Sequence, residues 1–279
     1  MSRRSEAREN NSVKSEKLGK ANKKYYKENQ KMLKVTGLCK EYPSFSLKNV
    51  SFEGPDGCIT GFIGRNGAGK TTTLKSVMRT VIPSGGKVEI NGLDMRENET
   101  ELKKRISFTT GTFNYYKFKK LKTIASSYAG FYDDFDFNVF NSYAEKFELN
   151  LNKRVNELSA GMSVKFSLAL ALSHGAEIFI LDEPTSGLDP VAREEILDLF
   201  TEIVSDGKKS ILFSTHITED LEKCADYILY IRKGEIIFDK QKDELLDGHA
   251  LIKGGLDDLN EQLEQAAISI KTNSFGFSG

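Results

Sequence analysis

The stretch "GRNGAGKTT", residues 64–72, decides the fold. It satisfies G-x-x-x-x-G-K-[ST] through Gly64, Gly69, Lys70 and Thr71, and it follows the apolar run "ITGFI". At average composition those four fixed positions coincide by chance, in a chain this long, on the order of one time in a hundred. The apolar run before and the helical pattern "KTTTLKSVMRTV" after, ending before Pro83, lower that further. Chemistry accounts for the residue types. Glycines let successive backbone N–H groups converge on phosphate oxygens, and the start of the helix adds its partial positive charge. Lys70 then reaches the β and γ phosphates of a nucleotide, and the Thr71 hydroxyl ligates Mg²⁺. A strand feeding a Gly-rich turn and a helix is the opening of a P-loop domain.

Working outward, "MLKVTGLCKEY", "FSLKNVSFEG" and "GCITGFIG" read as strands punctuated by Gly and Pro, and "GGKVEINGLDM" as a strand and turn. Downstream, "AEIFILDEP", "KSILFSTH" and "YILYIRKGEIIF" read as buried strands separated by helical "PVAREEILDLFTEIVSDG" and "ITEDLEKCAD". That alternation predicts an α/β fold with a parallel sheet covered on both faces. Ile178 to Leu181 form a strand that ends in Asp182 and Glu183. Two carboxylates thus emerge at the carboxyl edge of the sheet, where ligands of open α/β sheets sit. Asp182 is placed to hold the Mg²⁺ shell, and Glu183 to orient an attacking water and accept its proton. His216 follows "LFST" to the same edge, from which an imidazole donates to a γ phosphate. His174 and His249 read as structural residues.

The whole chain sets bounds. With 279 residues and 39% hydrophobic content it buries a real core, as one large domain or one domain with appendages. Its longest apolar runs, such as "SLALALS", are far short of the roughly 18 to 20 residues of a membrane-spanning helix. Formal net charge is zero, with 40 residues of each sign, which argues against a nucleic-acid partner. Residues 1–31 hold ten Lys or Arg against four Glu, an excess of six, with no apolar segment. They read as a solvated basic tail, without the features of a secretory signal. A cytosolic setting fits these features. Cys39, Cys58 and Cys224 are too scattered for a disulfide framework or a zinc site.

Residues 113–147 carry 12 of the 28 Phe and Tyr, at mixed helical spacings. They predict the core of a small helical subdomain, with some rings forming an exposed socket for another protein as the sharper reading. Past residue 240, "LDDLNEQLEQAAISI" has the pattern of an amphipathic helix and carries no recognisable chemistry.

The ordered motifs "GRNGAGKTT", "LSAGM", "IFILDEPTSGLD" and "LFSTH" resemble the nucleotide-binding subunit of ABC transporters, over about residues 32–240. The resemblance implies an ABC cassette: a mixed sheet flanked by helices, an antiparallel β subdomain, and a helical subdomain over about 111–175, with a basic tail at 1–31 and an extension at 241–279. It implies an ATPase that forms a head-to-tail dimer around two MgATP molecules and drives a separate membrane permease from the inner face of the membrane. Carried onto this chain, Gly64, Asn66, Gly67, Ala68, Gly69, Lys70, Thr71 and Thr72 hold the phosphates, and Tyr42 stacks on adenine. Thr71 and Asp182 hold the metal, with Glu183, His216 and Lys70 catalytic. Ser159 and the Gly161 N–H touch the γ phosphate of the other subunit, and Asp189 links the two sites. Two-fold symmetry then builds two complete sites from one P-loop and one "LSAGM" per chain.

The chain departs from that pattern. No Gln occurs between Gln30 and Gln241, so Met162 stands where the family has a glutamine. The family's loop glutamine is also missing near Thr110 or Gly111; a water, Thr109, Thr110 or Asn114 is left to complete the metal site. Together with "GFYDDFD", that absence resembles the ABC-2-type export branch, which includes antimicrobial-peptide exporters. An importer subunit and a non-transport ABC ATPase remain open alternatives, although the chain has neither a second cassette nor a long coiled coil. A P-loop kinase has no use for Ser159.

Overall fold

The computed structural model describes residues 31–110, 116–247, 253–254, 270–273 and 276–278. Residues 1–30, Gly111, Asn114, His249 and most of the amphipathic stretch lie outside these. Two compact units divide between Asp239 and Lys240.

The first unit contains two sheets. One is four-stranded and antiparallel, in the order β2 (Phe45–Pro55), β1 (Lys31–Tyr42), β4 (Gly85–Ile90), β5 (Leu93–Asp94). The other runs in the order β10 (Glu235–Gln241), β9 (Tyr227–Arg232), β3 (Ile59–Ile63), β8 (Ser210–Thr215), β7 (Ile178–Asp182), β6 (Ile106–Thr110). It is parallel from β9 to β6.

The period of two along each strand sorts its side chains onto two faces. Phe62, Ile178, Ile180 and Leu212 join Leu74 and Val77 of helix α1 (Lys70–Val77) and Leu33, Leu38 and Val50 of the antiparallel sheet in one core. Residues of the opposite register, such as Phe213, meet the other face, where Phe200 of a later helix packs at a ring distance of 5.6 Å. Both faces are covered, as the near-continuous apolar strands require.

Two local readings change. Helix α1 ends at Val77 rather than before Pro83, because Arg79 turns to φ 53° and the N–H groups of Thr80 and Val81 both close on the Lys75 carbonyl. "YILYIRKGEIIF" is two strands, not one. Lys233 and Gly234, with φ of 50° and 81°, form the two-residue turn of a hairpin joining β9 to a partly exposed β10.

Helix α2 (Glu99–Lys104) leads into β6. The helical segment that follows comprises α3 (Leu121–Ala129), α4 (Phe137–Lys146), a 3₁₀ turn at Val155–Glu157 and α5 (Ala160–Ser173). Helix α5 is buried along most of its length and takes the edge of Phe140 on Phe166 at 6.2 Å. The aromatic segment divides by exposure. Phe140 and Phe147 are core, while Tyr116, Phe118, Phe131 and Phe137 face solvent.

Helices α6 (Pro190–Val204) and α7 (Thr218–Cys224) complete this unit. In the second unit, α8 (Lys242–Asp247) precedes a three-stranded sheet in the order β11 (Lys253–Gly254), β13 (Gly276–Ser278), β12 (Lys271–Asn273). The three cysteines are free thiols, and burial pushes that of Cys58 up to about 12.

His174 closes α5 and is buried. Tyr132 stacks on its ring at 4.0 Å, and the Tyr128 hydroxyl lies 3.0 Å from its Nδ1. Burial holds its pKa down to about 4, outweighing the opposing pull of the Leu170 carbonyl. The unfolded chain therefore binds this proton below about pH 6.5 while the folded chain refuses it until about pH 4, so stability falls as pH drops through that window. The thermal midpoint, measured at pH 7 and pH 5, is expected to fall by several degrees more in the wild type than in His174→Phe.

Candidate active site

The register of the parallel sheet gathers the site. Thr110, Asp182 and Ser214 are successive neighbours across β6, β7 and β8, and Ile63 is paired with Thr215 one strand on. The Gly-rich loop leaves β3 at that edge and starts α1 at Lys70. Gly69 caps the helix at φ 118°, which L side chains rarely adopt, and a Cβ there would lie 2.8 Å from Leu47 and 2.9 Å from Phe45. A side chain at Gly69 would displace the tips of the Leu47 and Phe45 side chains and strain the backbone. Tyr42 sits on that hairpin, register partner of Phe45 and 42% exposed, with the Lys40 ammonium 5.5 Å from its ring centre.

Lys70 is only 5% exposed and its charge is compensated. It donates to the Gly64 carbonyl at 2.6 Å and pairs with Glu183 Oε1 at 3.0 Å. Buried charge persists where such partners exist. His216 Nδ1 lies 2.8 Å from the other oxygen, Oε2. Glu183 thus bridges the loop lysine and the histidine. It does so at φ 53°, a left-handed conformation that costs a non-glycine residue about 1–2 kcal/mol. Ser214 Oγ accepts the Glu183 N–H at 2.9 Å and donates to Asp182 Oδ1 at 2.7 Å. Within the loop Ala68 is buried and its carbonyl accepts the Gly234 N–H. Asn66, Gly67 and Thr71 are exposed, and Thr72 is half-buried.

A second polar network lies behind the first. Asp220 of α7, 0% exposed, accepts from Thr185 at 2.7 Å, Thr215 at 2.9 Å and Arg193 Nε at 2.5 Å. It joins the segment after Glu183, the residue before His216 and helix α6. No short-range pattern marks Asp220, Arg193 or Ser214, since their partners other than Thr215 lie 27 to 35 residues away.

Asp189 caps α6 through the Val191 and Ala192 N–H groups, at 3.1 and 3.0 Å. Ser159 caps α5 by accepting the Met162 N–H at 3.2 Å. Gly161 has a reason within the chain for being small. It is buried, and a Cβ there would meet the Ala192 Cβ at 3.3 Å, so α5 and α6 approach at this residue.

Thr109 and Thr110 line a groove of about 770 Å³, open beside the carboxyl end of β6 and walled by Phe108, Tyr116, Tyr128 and Phe131. Among the described residues, no group of three or more His, Cys, Asp or Glu is arranged around a metal. The Thr71 hydroxyl and Asp182 carboxylate are hard oxygen donors, a set that suits Mg²⁺ shared with substrate phosphates.

A parallel sheet, a Gly-rich loop capping a helix, and paired carboxylates at the end of β7 define a nucleoside-triphosphate-binding α/β protein of the P-loop class. The particular family follows from comparison. The sequence profile of the ABC transporter family matches residues 47–186, half of the chain. The ABC transporter ATP-binding protein YtrB of Bacillus subtilis is 28% identical over 80% of this chain and 76% of its own length. The bacitracin transport ATP-binding protein BcrA of Bacillus licheniformis is 31% identical over 77% and 71%. Among solved structures, cbiO1 from Clostridium perfringens, part of the ABC transporter complex cbiONQ, superposes with a TM-score of 0.68 at 21% identity, covering 78% of this chain and 92% of that one.

The chain belongs to the ABC transporter family. It is an ATP-binding subunit, a transport ATPase of the kind that works with a membrane permease. Among the described residues no helix is long and apolar enough to cross a membrane.

The buried network gives a stability test. Asp220→Ala leaves Arg193 without its buried partner and the hydroxyl hydrogens of Thr185 and Thr215 without their acceptor, so denaturant unfolding is expected to show a loss of about 3–5 kcal/mol.

Proposed function

We propose that this subunit dimerises head to tail around two MgATP molecules and powers a permease that exports amphipathic peptides or drugs. The observation that carries the catalytic part is Glu183, held between Lys70 and His216 at the mouth of the Gly-rich loop. In this reading Lys70 takes the β and γ oxygens, and Thr71 and Asp182 hold Mg²⁺. Bound by these two residues, the metal would supply positive charge close to the phosphoryl oxygens. Glu183 orients a water and accepts its proton, while His216 donates to the γ phosphate. Tyr42 offers a ring face to adenine. Ser159 and the Gly161 N–H lie at the start of α5 and meet the γ phosphate of the nucleotide on the opposite subunit, where a helix N-terminus favours phosphate.

The groove beside Thr110 supports permease docking, being apolar, open and walled in part by the exposed rings of Tyr116 and Phe131. Similarity to a bacitracin transport protein supports amphipathic cargo, and the missing loop glutamine fits the export branch. A place on the inner face of the membrane follows from permease docking.

Glu183→Gln is expected to lower ATP turnover at least on the order of 100-fold and to accumulate an ATP-dependent dimer on size exclusion. Unchanged turnover would refute the catalytic assignment. Phe131→Asp, at a ring 77% exposed on the groove wall, is expected to reduce copurification of the membrane partner while leaving ATP binding intact.

A further inference from the structure

Ser214 sits at the last rung between β7 and β8, register partner of Asp182 and fully buried. A serine hydroxyl carries one hydrogen and two lone pairs. Here the hydrogen is committed to Asp182 Oδ1 and a lone pair to the Glu183 N–H. One atom therefore contacts the carboxylate read as the metal ligand and the backbone of the residue read as the base. Its neighbours are engaged elsewhere. The Thr215 hydroxyl serves Asp220, and the Lys70 ammonium serves Gly64 and Glu183 Oε1.

We propose that Ser214 is a positioning residue for hydrolysis. By donating to Oδ1 it fixes the plane of the Asp182 carboxylate and leaves Oδ2 as the oxygen offered to the cation. By accepting the Glu183 N–H it secures the left-handed backbone that aims the base. Because both bonds meet at one oxygen, the metal ligand and the base keep a fixed separation. The register of β7 and β8 sets that oxygen in place, so the positioning is a property of the sheet. The inference rests on the roles proposed above for Asp182 and Glu183.

The test uses the full chain. For Ser214→Ala, the Mg²⁺ concentration for half-maximal ATP turnover is expected to rise and kcat to fall, each on the order of 10-fold. KM for MgATP is expected to move less than about threefold, and ATP binding in EDTA to stay at the wild-type value. Ser214→Thr, which keeps the hydroxyl, is expected to recover part of both losses. Wild-type kcat and Mg²⁺ dependence in Ser214→Ala would overturn the proposal. So would a loss of metal-free ATP binding by the same factor, which marks a merely structural role.

Should Ser214→Ala fail to fold, Ser214→Cys fills the volume with a weaker donor and acceptor and is expected to show the same two losses; wild-type behaviour would again overturn the idea. Asp182→Asn and Glu183→Gln run alongside. If they keep wild-type turnover and Mg²⁺ dependence, the reading of the site falls and the proposal with it. If they lose turnover while Ser214→Ala does not, positioning by Ser214 alone is refuted.

Discussion

Glu183 leaves the sheet in a left-handed turn, and the rest of the site is arranged around that bend. A glutamate pays a steric penalty at φ 53°, so the conformation persists only where surrounding contacts over-determine it. Four contacts do so: the Ser214 hydroxyl on its N–H, the Ser186 N–H on its carbonyl, Lys70 on one carboxylate oxygen and His216 on the other. The same contacts also serve their partners. Lys70 gains the anion that its burial requires, and Ser214 places the neighbouring Asp182. Strand order makes this possible, because a parallel sheet delivers β3, β8, β7 and β6 to one edge with their ends in register.

Behind that edge, Asp220 binds together three segments that carry the chemistry. Its carboxylate, removed from water, accepts from both threonines and from Arg193, satisfying its lone pairs as a buried charge demands. Through Arg193 it reaches helix α6, whose start is capped by Asp189 and whose Ala192 abuts Gly161 of α5. The two helix starts carrying Ser159 and Asp189 are therefore packed on one another inside a single chain.

The helical segment uses its aromatic residues in two ways. Phe140 and Phe166 build its core, and Tyr128 and Tyr132 enclose His174 in a pocket that favours the neutral imidazole. Phe131 and Tyr116 instead wall the groove beside Thr110. Composition revealed the concentration of rings, but burial depends on which neighbours arrive from α5 and β6.

The sequence by itself determined the phosphate loop, the acidic strand end, the histidine after β8 and the alternation that makes the sheet. Each is a local signal: glycines before Lys70, four apolar residues before Asp182, a strand before His216. Local pattern failed where a distant backbone decided the outcome. "YILYIRKGEIIF" read as one strand because its apolar content hid the turn at Lys233 and Gly234, and α1 stopped early at a turn that helical periodicity does not encode. Gly161 reads from sequence as small for the sake of a phosphate, and the fold adds a second reason, since a Cβ there would crowd the Ala192 Cβ of α6 at 3.3 Å. Ser214 and Asp220 were ordinary letters until β7, β8 and α6 brought their partners to them across 27 to 35 residues, excepting Thr215, which is five away. Hydrogen bonds to buried carboxylates are made by whichever donors the topology places within about 3 Å, and that proximity belongs to the tertiary structure alone.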